Sequence, residues 1–407
     1  MTIDTAETGA QPRQGSPAEV FRVFLKLGLT SFGGPIAHLG YFRDELVQRR
    51  RWIDEAGYAD LVALCQFLPG PASSQVGFAL GLLRGRGLLG GLAAWCGFTL
   101  PSAALLCALA LGAAALTGPV AEGVLHGLKL VAVAIVAQAV WGMARTLTPD
   151  RPRAAIALAA VLVAVFAAGS LGQIGAIALG AVAGLWLCRD GGPAPAGRLS
   201  LPVSRRAGAV ALALFIAIFL AVPALTAATG SQGLALFDAF YRSGALVFGG
   251  GHVVLPLLQA EVVPPGWVTN ETFLEGYGLA QAVPGPLFTF AAWLGAAMGP
   301  APHGIAGAAI ALAAIFLPGL LLLYGTLPYW DALRRRPGAQ SAMRGANAAV
   351  VGILGAALYS PVWTSAVLTP RDFALALAGV LALTVWKAPP WTVVLGLAAA
   401  GAALTGA

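Results

Sequence analysis

The sequence predicts an all-α polytopic membrane protein built from two homologous halves in inverted, antiparallel topology and joined by a linker helix. Three observations predict it. Of 407 residues, 58% are hydrophobic and only 10% charged, against about 25% charged in soluble domains, and mean hydropathy is +0.81. Five motifs recur in one order along the chain. The basic loops alternate with uncharged ones, and the alternation inverts between the halves.

Residues 1–19 are polar, contain Pro12, Gly15 and Pro17, and lack the apolar core of a signal peptide. They read as a short disordered cytoplasmic tail. Two repeats follow, over 20–190 and 236–407, with a linker over 191–235. "FLKLGLTSFGGPIAHL" (Phe24–Leu39) aligns with "FYRSGALVFGGGHVVL" (Phe240–Leu255). "RWIDEAGYAD" (Arg51–Asp60) aligns with "GWVTNETFLE" (Gly266–Glu275), and "QFLPGP" with "QAVPGP". "FTLPSAALL" aligns with "IFLPGLLLL", and "LTPD" with "LTPR". The offset stays between 215 and 221 residues, the mark of a duplication.

Apolar windows near 20 residues mark spans. In the first repeat they are Leu88–Leu116, Gly123–Met143, Ala154–Ala168 and Ile174–Cys188. In the second they are Ile305–Tyr324, Gly345–Val362, Phe373–Trp386 and Thr392–Leu404. Gly208–Ala228 remains as the linker helix. Arg84 and Arg86, then Arg145, Arg151 and Arg153, then Arg189, Arg198, Arg205 and Arg206 fall in alternate loops. Arg334, Arg335, Arg336 and Arg344 bring the chain back to the same side. Basic loops belong in the cytoplasm, and a single linker helix inverts the second repeat.

Both PGP motifs interrupt hydrophobic runs, where proline and glycine break helices. Arginines precede and follow Gly57–Leu83, which favours a re-entrant helix–PGP–helix hairpin over a full span. Phe32-Gly33-Gly34 marks a further break, with a second hairpin one of its readings. Irregular backbone inside a membrane is tolerated only where it lines a cavity or a site, and half-helix N-termini suit anions. Pro71 fits the first position of a new half-helix, followed by the donors Ser73, Ser74 and Gln75. Thr289 corresponds in the second half. Gly33-Gly34 and Gly249-Gly250-Gly251 bare further backbone N–H groups. The plainer reading of any one such break is a kink.

Charges in apolar segments are functional candidates. Lys26 and Arg242 align, each six residues before Phe-Gly-Gly. They read as a cation pair for a dianion or as side chains snorkelling to the interface. Glu45 and Glu261 align and read as cation partners, proton carriers or solvated groups. His38 and His252 neighbour the glycine motifs, with proton coupling and a structural hydrogen bond as their two readings. His126 and Lys129 begin a span and read as interfacial. Asp54 and Thr269 align as N-caps.

The net charge of +7 resides in loops, so it sets orientation and does not point to nucleic acid. Four scattered cysteines, Cys65, Cys96, Cys107 and Cys188, have no metal-ligand spacing. Continuous apolar runs oppose a β-barrel. No His-Glu-x-x-His, Gly-x-Ser-x-Gly or phosphate-loop pattern supports an enzyme. "GGGH" (Gly249–His252) comes without a serine nucleophile and orienting acid. No cofactor or metal is expected.

The stretch from "FLKLGLTSFGGPIAHL" through "QFLPGPASSQ", together with "FGGG…PLL…WVT…QAVPGP", resembles the signature regions of the chromate ion transporter family in its long-chain, two-domain form. The resemblance extends from Val20 to about Val385. It implies export of chromate from the cytoplasm across the inner membrane, linked to protons or the membrane potential, with chromate resistance as the outcome. Sulfate or another tetrahedral oxyanion is the alternative cargo. It carries the binding role onto Phe32, Gly33, Gly34, Gln66, Pro69, Gly70 and Pro71, and onto Pro284, Gly285 and Pro286; Gln281, which flanks the second break as Gln66 flanks the first, is a further candidate. Gly251 stands where the first half has Pro35, so the two motifs are not equivalent. The lipid bilayer and the oxyanion are the expected partners, protons a further one, and a homodimer is an open assembly. Moving one charge through 100 mV is worth about 2.3 kcal/mol, so a dianion leaving a negative interior gains roughly 4.6 kcal/mol. Export needs no strong motor.

Overall fold

The computed structural model describes residues 15–113, 118–167, 169–189 and 202–405. Most of the expected tail, residues 190–201 with Arg198, and the last residues of the Leu88–Leu116 and Ala154–Ala168 windows lie outside the described residues.

The described chain is helical throughout. The first half comprises α1 (Pro17–Thr30), α2 (Gly34–Phe42), α3 (Glu55–Phe67), α4 (Ala72–Arg84), α5 (Leu88–Ala113), α6 (Pro119–Leu147), α7 (Arg151–Phe166) and α8 (Ser170–Leu187). Helix α9 (Arg205–Thr229) links the halves. The second half comprises α10 (Gln232–Ala245), α11 (Val254–Val262), α12 (Asn270–Ala282), α13 (Phe290–Ala297), α14 (Gly304–Thr326), α15 (Trp330–Leu333), α16 (Pro337–Ala357), α17 (Thr364–Ala366), α18 (Pro370–Thr384) and α19 (Pro390–Thr405). Six helical stretches are long and apolar enough to cross a membrane among the described residues. They begin with α5, α6, α8, α9, α14 and α16. The protein is therefore an all-α, multi-pass membrane protein.

The boundaries have local causes. Ser16 caps α1 through the Glu19 N–H, so the helix starts inside the segment expected as tail. Asp54 accepts from Gly57 N and Thr269 from Thr272 N, the two caps read from sequence. Helix α9 is the expected linker helix. It is also the least covered of the six, with only 11% of its apolar window buried, as suits a helix facing lipid.

Helices exchange between the halves. Helix α6 of the first half packs on α18 and α19 of the second, while α16 of the second packs on α7 and α8 of the first. Small residues permit the approach. A Cβ on Gly345 of α16 would strike the Gly180 carbonyl of α8, and one on Gly401 of α19 would strike the Gly123 carbonyl of α6. Lipid gives apolar helices no hydrophobic reason to associate, so close backbone packing of this kind holds membrane bundles together.

The breaks fall where prolines and glycines predict them. Helices α3 and α4 have 13 residues each. Each is therefore about 20 Å long, short of the ~30 Å hydrocarbon core. Pro71 is the N-cap of α4 and not its first helical residue, because its ψ of 87° is not yet helical. In the second half a single 3-10 turn, Leu287–Thr289, precedes α13.

Candidate functional site

Two turns cross between the halves. The chain leaves α3 through Leu68-Pro69-Gly70-Pro71, where Gly70 has φ +119°. The Gly70 N–H donates to the Val247 carbonyl at 2.8 Å. In the second half Gly285, with φ +102°, donates from its N–H to the Ser31 carbonyl at 2.9 Å. Ser31 and Val247 occupy aligned positions, each just before Phe-Gly-Gly. Each PGP turn thus inserts into the glycine segment of the opposite half.

The walls are reciprocal too. Gly70 lies against Gly319 of α14, and Gly285 against Ser102 of α5. Ser102 and Gly319 follow the aligned prolines Pro101 and Pro318. Gln75 adds a bond found on one side only. Its Nε2 donates to the Pro69 carbonyl at 3.0 Å and to the Gly319 carbonyl at 2.9 Å. The glycine segments meet as well, since Gly251 faces Pro35, Leu287 and Phe288, and Gly249 faces Asn347 and Met143.

Polar groups here lack partners. Ser31 Oγ, His38 Nε2, Ser74 Oγ, Gln75 Oε1, Thr99 Oγ1 and Asn347 Oδ1 are buried with no hydrogen-bond partner. Buried polar atoms normally find partners, so a group of orphans around broken helices suits a polar ligand. Helices α2 and α4 start without a side-chain cap, leaving first-turn N–H groups for an anion.

The two histidines differ. His38 Nδ1 is 3.4 Å from Ser73 Oγ, and its ring meets Phe98 edge-on. His252 Nδ1 is 2.7 Å from the hydroxyl of buried Tyr277, the geometry of a structural hydrogen bond. Thr289 is buried and donates to the Pro286 carbonyl at 2.8 Å. Phe32 and Pro284 are half-buried beside these turns, whereas Gln66 is exposed. Gln281 Nε2 is buried without a partner.

The aligned cations stand apart from the turns. Lys26 is exposed and 3.8 Å from Glu45 Oε2. Arg49 and Arg50 hold the same carboxylate at 2.8 and 2.7 Å. Arg242 is bonded to Asp238 at 2.9 Å and lies over the Phe219 ring, with Glu261 and Ser170 nearby. Lys26 also lines a groove of about 350 Å³ with Arg22, Leu25, Leu29 and Thr30. That groove is on the outer face of α1 and includes no residue of either turn.

Sequence reasoning missed three groups. Ser31, Thr99 and Ser102 have ordinary neighbours, and only the repeat alignment marks Ser102 as the counterpart of Gly319. His126, read as interfacial, is 2.7 Å from Asp372 Oδ1 of the second half. Arg334, read as a loop base, is buried against Asp60. No cluster of three metal-ligating side chains occurs among the described residues.

The family model described as "Chromate transporter" matches twice, over residues 18–185 and 234–402. A chromate transport protein of Pseudomonas aeruginosa is 31% identical, the match covering 97% of this chain and 93% of that protein. A probable chromate transport protein of Synechococcus elongatus is 30% identical over 84% and 83% of the two chains. A chromate transport protein of Cupriavidus metallidurans is 29% identical over 82% and 80%. No solved structure matches this chain.

Proposed function

The chain belongs to the chromate transporter family, and from that premise we propose that it exports chromate from the cytoplasm through a site where its two PGP turns cross. It is a multi-pass membrane transporter and not an enzyme. The observation that carries the proposal is the reciprocal pair of bonds, Gly70 to Val247 and Gly285 to Ser31, beside buried polar atoms without partners.

In this reading the two repeats are inverted, and the broken segments are re-entrant and meet within the inner membrane, the N-terminus lying in the cytoplasm. The double match of the family model supports the duplication, and the alternating arginines support the inversion. Backbone N–H groups of α2 and α4, with Ser31, Ser73, Ser74 and Thr99, line the path of a tetrahedral dianion. The Phe32-Gly33-Gly34 and Gly249-Gly250 segments let the backbone approach it. Lys26 and Arg242, both held by carboxylates, draw the anion toward the site and do not enclose it. Protons or the membrane potential drive export, with Glu45, Glu261 and His38 as the groups to test for coupling.

The test is labelled chromate uptake into inside-out vesicles, with and without excess sulfate and with an imposed pH gradient. Saturable uptake that Pro71→Ala with Pro286→Ala reduces more than expression is the expected result. Uptake of sulfate alone would replace the substrate and keep the site. Equal loss of expression and uptake would assign the prolines to folding.

A further inference from the structure

We propose that Asp60 and Glu275 are the acidic members of two alternating latches, Asp60 with Arg334 closing the arginine-rich side and Glu275 with Lys129 closing the opposite side. The inference rests on the transport reading above and on its inverted repeats.

Asp60 lies on α3, about two turns before the PGP break. Its side chain is fully buried, and that of Arg334 is 6% exposed. Arg334 Nη1 donates to Asp60 Oδ1 at 2.9 Å, and Trp330 Nε1 donates to the same oxygen at 3.1 Å. Trp330 also packs on Phe67, the last residue of α3. Asp60 and Phe67 belong to the first half, Trp330 and Arg334 to the second. Leu323, Leu327 and Trp330 are in fact part of the apolar cluster otherwise built by the first half, from α1 to α5. A segment of the second half therefore plugs the first half beneath its PGP turn.

A buried ion pair is a weak device for stability, because desolvating both charges consumes most of their attraction. It is a good device for selecting one arrangement over another. The other carboxylate oxygen, Asp60 Oδ2, is buried with no partner among the described residues. That oxygen gains hydration if the latch opens.

Glu275 aligns with Asp60 and lies on α12. It is half-buried and within electrostatic reach of Lys129 on α6, yet no ion pair joins them. Helix α12 touches α6 at Gly278, which meets the Leu128 carbonyl. That contact is one turn from Glu275 and one residue from Lys129, so a modest rotation of α12 on α6 pairs the charges. The structure thus holds one closed latch and one open latch. The carboxylates Asp60 and Glu275 correspond in the two repeats, although their cations Arg334 and Lys129 do not, and inverted repeats engage corresponding groups in turn when a transporter passes from one side of the membrane to the other.

Native cysteines provide the test. Cys65 lies on α3 between Asp60 and the break and is 1% exposed. Cys188 is buried at the end of α8 and accepts from Arg344 through its carbonyl, on the same arginine-rich side. A membrane-impermeant maleimide is applied to that side and labelling is read peptide by peptide, without any substrate. Asp60→Asn and Arg334→Gln are expected to raise the Cys65 rate about tenfold and leave Cys188 unchanged, whereas Glu275→Gln keeps Cys65 protected. Unchanged Cys65 labelling in both latch variants overturns the proposal. A joint rise of Cys65 and Cys188 also overturns it, assigning the pair to folding. Because the assay needs no anion, a failed chromate assay would refute the substrate and leave this result readable.

Discussion

The backbone N–H of Gly70 donates to the carbonyl of Val247, 2.8 Å away and in the opposite half of the chain. Gly285 and Ser31 make the counterpart bond at 2.9 Å. Both donors have φ above +100°, a region that glycine enters freely and other residues do not. A Cβ at Gly70 would also lie 3.0 Å from the Gly319 Cα, and one at Gly285 2.6 Å from Ser102 Oγ. Gly70→Ala and Gly285→Ala are each expected to cost about 1–3 kcal/mol. Thermal unfolding of the purified protein in detergent checks this. Midpoints equal to the parent in both variants would show that the crossing tolerates a side chain.

Gln75 ties one crossing and has no counterpart at the other. Its amide bonds the carbonyls of Pro69 and Gly319, so Gln75→Leu removes both bonds and the tie between the turn and α14. The expected cost is about 1–3 kcal/mol, with transport falling further than expression. The equivalent position in the second half is Phe290, buried against Phe273 and Tyr277. Changing Phe290 to Leu should lower stability by cavity formation and leave the half-saturation concentration unaltered. Identical transport profiles for the two variants would remove Gln75 from the site.

Much of this arrangement was legible in the sequence, for identifiable reasons. Proline and glycine act locally, so both PGP breaks and the Phe-Gly-Gly breaks appear where they were expected. Asp54 and Thr269 cap their helices because capping depends on a residue and the three that follow. Six of the nine expected spans follow from apolar length, whereas Ala154–Ala168, Phe373–Trp386 and Thr392–Leu404 fall on α7, α18 and α19, which are too short to stand among the six. Contacts between residues far apart in sequence were not legible. His126 and Asp372 meet across 246 positions, and neither local stretch signals the other. Arg334 belongs to an arginine cluster that orientation rules assign to a loop, yet Asp60 draws it into the interior. Lys26 and Arg242 align with each other, but alignment does not show what a side chain faces, and each faces a carboxylate.

Glu45 links the arginine-rich loop to α1 and supplies a pH dependence. Burial raises its pKa, but the Arg50 hydrogen bond and the charges of Arg50, Lys26 and Arg49 outweigh burial, leaving it below the ordinary 4.5. A carboxylate whose folded pKa is depressed stabilises the fold above its unfolded pKa and loses that contribution as pH falls through the folded value. Stability should therefore be insensitive to Glu45→Gln at low pH and lower in the variant above about pH 4.5. Charge-assisted bonds of this kind contribute about 1.5–3 kcal/mol, less here because Lys26 and Arg49 are exposed. Melting curves of parent and variant across pH 3 to 7 read the difference, and a constant gap over that range would refute the assignment.

The contact of α8 with α16 leaves no room for added volume. Gly345 meets the backbone of Gly180 and Gly184, and a Cβ there has nowhere to go. A Cβ built on Gly249 would lie 3.5 Å from Oδ1 of the neighbouring Asn347, so separating α16 from α8 also disturbs the glycine segment of the second half. Gly345→Val is expected to cost more than the roughly 1–3 kcal/mol of ordinary overpacking, since both obstacles are backbone and neither can turn aside. Gly355→Ala, on the same helix with open space around it, should leave melting and transport unchanged. Size-exclusion profiles and melting midpoints of the two variants decide the matter. If Gly345→Val melts with the parent, the helices must slide freely, and the packing described for the exchanged helices would not be what holds the halves together.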